Sequence, residues 1–181
     1  MVAGVGNKSS DYDESDVRQL ILLIEGMWRI VQRKRAEQKA VELAAIVQSS
    51  EDAIIGKNLD GIITSWNKGA EKIYGYNESE VIGKPISILV PPGREDEFLR
   101  IIEEIKSSKH IEHYQTLRRK KDGHSIHMSL TISPIIDAEG KVVAASTIGR
   151  DISERKRAEE ALSQSEEEYR LLVNQIPAVV Y

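Results

Sequence analysis

The spacing of hydrophobic positions changes twice along this chain. From about Glu14 to Gln48 they fall three or four apart: Leu20, Leu23, Ile24, Met27, Ile30 and Val31, then more weakly Ala40, Val41, Ala44 and Val47. No proline interrupts the run, and Gly26 is its one glycine. This spacing predicts a single helix, a rod of roughly 50 Å at about 1.5 Å per residue. Asp13 and Asp16 form an N-cap and an acid three residues on, where the helix dipole favours negative charge. So long a helix with one apolar stripe needs a partner along its length. A second copy in a parallel coiled coil is the simplest partner, and a neighbouring domain is the alternative. Arg33-Lys34-Arg35 interrupts the stripe and reads as a solvated face.

The middle of the chain alternates short apolar runs with turn residues. Ala53 to Lys57 reads as a buried strand, Asn58-Leu59-Asp60-Gly61 as a hairpin turn with Gly61 at positive φ, and Ile62 to Trp66 as the return strand. Asn67 caps a helix that Gly75 ends, and Asn77 with Glu80 forms the capping box of a further short helix that Gly83 and Pro85 stop. Arg94 to Ser107 predicts an amphipathic helix burying Phe98, Ile101, Ile102 and Ile105. Three strands follow: Ile111 to Arg119, Ser125 to Ile135 and Val142 to Ile148. In the second, Ile126, Met128, Leu130 and Ile132 alternate with Ser125, His127, Ser129, Thr131 and Ser133, the period of a half-buried antiparallel strand. The expected order is strand, strand, short helices, then a three-strand meander.

The last segment repeats the first. Glu154 to Glu168 is charged and helical, and Arg-Lys-Arg-Ala-Glu occurs both at 33–37 and at 155–159. Ala45-Ile46-Val47-Gln48 leads to Ala53-Ile54-Ile55, as Leu171-Leu172-Val173-Asn174 leads to Val179-Val180-Tyr181. A connector recurring at domain-length spacing predicts a tandem array, with Pro177 to Tyr181 opening a second domain and the chain an interior slice of a longer protein.

Composition narrows the chemistry. A net charge of −4 and a pI near 5.7 give no basic field for nucleic acid. There is no cysteine, hence no disulfide, thiolate metal site or cysteine nucleophile. No apolar run reaches the roughly 18 residues of a membrane helix, and no signal peptide opens the chain, so a cytoplasmic location is expected. His110 and His113 are three apart, as are His124 and His127, which puts each pair on opposite faces of a strand. With His127 opposite about Leu117, the pairs do not converge, and no metal is expected. Glycine-rich nucleotide loops, nucleophile elbows and phospho-accepting helix motifs are absent, so no catalysis is expected in this stretch.

Five motifs in order resemble a PAS domain of the bacterial and archaeal sensor type: Asp-Gly-Ile-Ile-Thr-Ser-Trp-Asn (60–67), Ala-Glu-Lys-Ile-Tyr-Gly-Tyr (70–76), Glu-Val-Ile-Gly-Lys-Pro-Ile (80–86), Arg-Lys-Lys-Asp-Gly (119–123) and Gly-Arg-Asp-Ile-Ser-Glu-Arg (149–155). Residues 1–37 resemble the end of a GAF domain. The expected organisation is GAF-like and early connector at 1–37, connector helix at 38–48, PAS domain at 49–153, connector at 154–170 and a truncated second PAS domain at 171–181. The resemblance implies an α+β fold: a five-stranded antiparallel sheet with short helices over one face, flanked by long helices. Its cavity would be lined by residues such as Ile63, Phe98, Ile102, Tyr114, Met128, Leu130 and Ile148. Asp151-Ile152-Ser153 matches the family's Asp-Ile-Thr junction between last strand and exit helix, with Ser keeping the hydroxyl.

The resemblance also carries cofactor expectations. Flavin light sensors of the family use a cysteine, absent here. Haem sensors carry a proximal His where this chain has Phe98, and an Arg where it has Tyr114, so neither haem nor any other cofactor is predicted. The implied role is a sensory and dimerising module that signals through its helices to a downstream output, most simply a histidine kinase. Alternatives are a cyclic-dinucleotide enzyme as output, or a structural spacer without ligand.

Overall fold

The computed structural model describes residues 13–175. Helix α1 (Glu14–Ser49) comes first, then β1 (Ala53–Asn58) and β2 (Ile63–Trp66), helices α2 (Lys68–Tyr74) and α3 (Glu78–Val81), and a 3₁₀ turn (Ile86–Leu89). Helix α4 (Glu95–Lys106), strands β3 (Ile111–Arg119), β4 (Ser125–Ile136) and β5 (Val142–Asp151), and helix α5 (Ser153–Gln175) complete the chain. The five strands form one sheet in the order β2-β1-β5-β4-β3, every pair antiparallel. This is the α+β architecture expected, with a long helix at each end.

Two units divide the chain, residues 1–46 and 47–181. The first is helical from Glu14, and its N-terminus is capped as anticipated. Asp13 Oδ1 accepts from the amides of Ser15 and Asp16, and Asp16 Oδ2 accepts from the amide of Asp13. No residue of α1 is buried, and Leu22, Leu23, Met27, Ile30 and Val41 are all strongly exposed. The division expected at residue 37 coincides with no break in the helix. Of the GAF-like stretch expected at 1–37, residues 1–12 lie outside the described residues.

In the second unit one sheet face carries the core. Inward alternation along β4 puts Met128, Leu130 and Ile132 against Ile55 of β1, Ile101 and Ile105 of α4, and Leu89 of the 3₁₀ turn. Strand β2 departs from simple alternation. Ile55 pairs with Trp66 and Gly56 with Ser65, but Lys57 pairs with Ile63, leaving Thr64 as an extra residue. The bulge turns both Ile63 and Trp66 inward, three apart, where an unbroken strand would show only one of them.

Asn67, 1% exposed, ties the segments around this bulge together. Its Oδ1 accepts from the amides of Ile54 (2.8 Å) and Ala70 (2.9 Å), and its Nδ2 donates to the carbonyls of Val47 and Asp52, both at 3.0 Å. One side chain therefore caps α2, holds the start of β1 and closes the last turn of α1. Next to it, Gly69 packs directly on backbone: a Cβ there would lie 2.3 Å from the Asp52 carbonyl oxygen. Gly75 ends α2 in the left-handed region at φ 79, and Asn77 with Glu80 forms the expected capping box.

Replacing Asn67 by Ala leaves four main-chain groups, three of them in part-buried bonds and one in a buried bond, without their partner and is expected to cost about 2–4 kcal/mol in urea unfolding. Asn67→Asp retains both acceptor functions but aims an oxygen at two carbonyls. It is expected to be at least as damaging at pH 7 and to recover partly towards pH 4, where the protonated carboxyl donates. An Asp variant as stable as the parent at pH 7 would refute this account of the junction.

Candidate functional site

Two features of the second unit have functional chemistry. The first is a void of about 30 Å³ between the sheet and the helical layer, lined by Ile86, Leu89, Ile101, Leu130 and Ile132, with Lys57, Arg118, Tyr74 and Thr147 supplying polar groups. Lys57 is on the inward parity of β1 after Ala53 and Ile55, and is 3% exposed. Its Nζ donates to Thr147 Oγ1 at 2.9 Å. Burial first, and the Arg118 guanidinium second, push its ammonium down to about 8. Arg118 is itself buried and pairs with Glu97 of α4 at 2.7 Å. Thr116 Oγ1 donates to the same carboxylate at 2.8 Å, and Arg118 also donates to Thr116 Oγ1 and the Leu117 carbonyl. Glu97 thus stitches α4 to β3. Burial pushes the Tyr74 hydroxyl well above its usual range, so it stays protonated.

The second feature is the passage from β5 into α5. Asp151 Oδ1 accepts from the Ser153 amide at 2.8 Å, a turn that starts the helix. Ser153 Oγ accepts from the amide of His127 at 2.9 Å, and the Ile152 amide donates to the His127 carbonyl at 2.9 Å. Ile152 is 5% exposed. Both main-chain groups of His127, on β4, are therefore held by the first residues of the exit segment. The Ser153 hydroxyl oxygen is thus spent on the neighbouring strand.

Comparison with known proteins fits this geometry. The sequence profile of the PAS fold matches residues 42–152, more than half of the chain. The chain belongs to the PAS family. It is 27% identical over 160 residues to Two-component system protein A of Emericella nidulans, covering 87% of this chain and 23% of that protein. It is also 27% identical over 123 residues to the signal transduction histidine-protein kinase AtoS of Escherichia coli, covering 67% of this chain and 19% of that one. The chain spans less than a quarter of the length of these relatives. Among solved structures, the PAS domain of a Colwellia psychrerythraea protein superposes with a TM-score of 0.57 at 28% identity, covering 68% of this chain and 98% of that one. The chain is thus a PAS signalling module related to two-component sensor histidine kinases.

The residues expected to line the PAS cavity divide into groups. Leu130 lines the void. Ile63 and Met128 are buried in the core around it, 1% and 0% exposed, without facing the space. On α4 the lining residue is Ile101, while Ile102 is only half-buried. Tyr114 turns to the rim, where its hydroxyl accepts from Arg100 at 2.9 Å. Ile148 needs correction. It is 44% exposed on the outer face, because the inward positions of β5 are Ala145, Thr147 and Gly149. The side chain of Phe98 lies outside the described residues. Asp151, Ile152 and Ser153 lie at the passage from β5 into α5.

Sequence reasoning missed Lys57, Thr147 and Arg118. Their signal was available: each occupies the inward parity of its strand, Lys57 after Ala53 and Ile55, Thr147 between Ala145 and Gly149, and Arg118 after Thr116. Register on β3 and β4 matches the expectation, with His127 opposite Leu117. Among the described residues, no three His, Asp or Glu side chains are grouped to hold a metal ion, and no helix is long and apolar enough to cross a membrane.

The buried lysine makes a pH prediction. The unfolded chain holds the Lys57 proton up to about 10.5, whereas the folded chain releases it near 8. Between those values unfolding takes up a proton, so folded stability rises with pH. Relative to Lys57→Met, the parent is expected to gain stability between pH 8 and 10.5, by at most about 3 kcal/mol at roughly 1.4 kcal/mol per pH unit. Urea midpoints of both proteins measured across that range check it. A difference that stays flat with pH would mean that Lys57 titrates normally.

Proposed function

We propose that this PAS module is a sensory and dimerising input unit, which passes a signal through its flanking helices to a downstream output, most simply a histidine kinase. The observation that carries this reading is the strand-to-helix junction. Ile152 and Ser153 bind the start of α5 to His127 by two hydrogen bonds of 2.9 Å, and Asp151 Oδ1 accepts from the Ser153 amide at 2.8 Å. A shift of β4 against β5 would have to move the first turn of α5 with it, which is how a sheet directs a helix. The similarity to histidine kinase sensors supports the choice of output. A ligand that biases two arrangements of the sheet would bias the helix only by its difference in affinity for them.

The partner in this reading is a second copy of the chain. Helix α1 runs for 36 residues with none buried, far more apolar surface than an isolated helix keeps in water. A parallel pairing covers the stripe along its whole length, and the helices would carry motion between domains. The GAF-like start and the second PAS domain, Pro177 to Tyr181 among its residues, belong to the same reading of a longer sensor. Those two stretches include residues outside the described ones.

Light scattering is expected to give a dimer. Combined Leu23→Glu, Met27→Glu and Ile30→Glu substitutions should give a monomer with the melting temperature of the PAS core retained. The relay itself is tested by joining the chain through α5 to a PAS-linked histidine kinase core and inserting one to seven residues at the join. Autophosphorylation is expected to rise and fall with a helical period of about seven residues. A flat response would rule out a rotary or tilting relay and leave the spacer alternative.

A further inference from the structure

Lys57 is an uncommon feature for an inner sheet face. Buried cations are ordinarily matched by a carboxylate, because desolvation otherwise costs several kcal/mol. The nearby carboxylate is already engaged: Glu97 is taken by Arg118 at 2.7 Å and by Thr116 at 2.8 Å. Among the described residues no acidic side chain lies within ion-pair distance of Lys57 Nζ, whose one protein acceptor is Thr147 Oγ1. An ammonium has three N–H donors, so two are left for something else. The void lies beside it. Arg118 adds positive charge, leaving the Lys57, Arg118 and Glu97 group with one cation in excess. Thr147 Oγ1 accepts from Lys57 and retains its own proton to donate.

We propose that this chamber binds a small monovalent oxyanion, a short carboxylate or nitrate, on Lys57 Nζ with the Thr147 hydroxyl and the Arg118 guanidinium beside it. The void of about 30 Å³ exceeds the 10–15 Å³ a single water requires, and suits a ligand of a few non-hydrogen atoms. Leu89, Ile101 and Ile132 surround the polar end, excluding water and strengthening the pairing. They would also take the methyl group of acetate. The titratable groups facing the site come from every layer: Lys57 on β1, Arg118 on β3, the neutral Tyr74 on α2 and, through Arg118, Glu97 on α4. Of these, Lys57 is the one whose charge no described residue balances.

The inference deepens the sensory reading by naming its ligand class, and it rests on that reading only for its consequence. The chain, in sodium HEPES at pH 7, is titrated with formate, acetate and nitrate, with sulfate as a control too highly charged for the site. A saturable rise in melting temperature is expected with at least one monoanion, roughly 10 °C at a hundredfold excess over Kd. Lys57→Met and Lys57→Gln should show none. A response to carboxylates alone assigns an organic acid, and an equal response to nitrate assigns inorganic anions as well. In parallel, ¹³Cε NMR of the unmutated chain should show the Lys57 titration midpoint rise when the ligand is bound. No saturable rise, an equal rise in Lys57→Met, or an unmoved midpoint overturns the proposal. Anion binding with a flat insertion series would uphold the site and defeat the relay, and a periodic series without anion binding would do the reverse.

Discussion

The fold of the second unit depends on the asymmetry of one amide. Asn67, itself buried, offers an oxygen to two backbone N–H groups and a nitrogen to two backbone carbonyls. No other side chain of that length supplies two acceptor and two donor functions from adjacent atoms. Asp has the shape without the donors, and Ser lacks the reach. Three segments meet here: the last turn of α1, the loop into β1 that follows it, and the N-terminus of α2. Gly69 is the geometric consequence. Once Asn67 draws the Asp52 carbonyl in, the first turn of α2 lies against backbone, and no Cβ fits.

From that anchor the helices can cover the sheet at a fixed distance, and the distance decides what the interior can hold. Arg118 reaches across to Glu97, so the far end of the chamber is closed by a paired charge. Lys57 closes the near end with an unbalanced one. The two cations raise each other's cost, and burial makes up most of the displacement of Lys57 from its ordinary value. A purely apolar residue at 57 would pack with less penalty. A buried cation maintained at such cost without a carboxylate of its own argues for a group whose value is realised when something binds.

Much of this was legible in the residues. Local rules with short range gave the turn at Gly61, the caps at Asn67 and Asn77, and the inward positions of β4, because each depends on neighbours within a few places. Three failures share one cause. Trp66 joins Ile63 inside only because Thr64 is bulged, and a bulge is set by pairing with β1. Ile148 looked like core because it is apolar, but parity on β5 is fixed by Ala145 and Gly149 meeting crowded neighbours. Gly149 in particular faces the ends of Met128 and Leu130, which leaves no room for a side chain on that face. Lys57 looked like a strand terminus and proved to be its innermost charge. Parity carries this information, but only after the register is known.

The same parity connects the chamber to the exit helix. Thr147 and Asp151 are four residues apart on β5, about 13 Å at 3.3 Å per residue. Thr147 pairs with Ile55 on one side and Ile132 on the other, Gly149 pairs with Leu130, and Asp151 pairs with Met128. A ligand pulling on Thr147 and Lys57 would thus act on β1 and β5 together, the two central strands of that half of the sheet. The edge between β5 and β4 would then take up the strain, and His127, held by Ile152 and Ser153, is where that edge meets α5. Gly149 lies midway and bears no side chain, with the Met128 and Leu130 tips against it. On the proposed reading, the glycine is the compliant point and the doubly held His127 the stiff one. A change begun at the lysine would therefore emerge as a reorientation of the helix and not dissipate within the sheet.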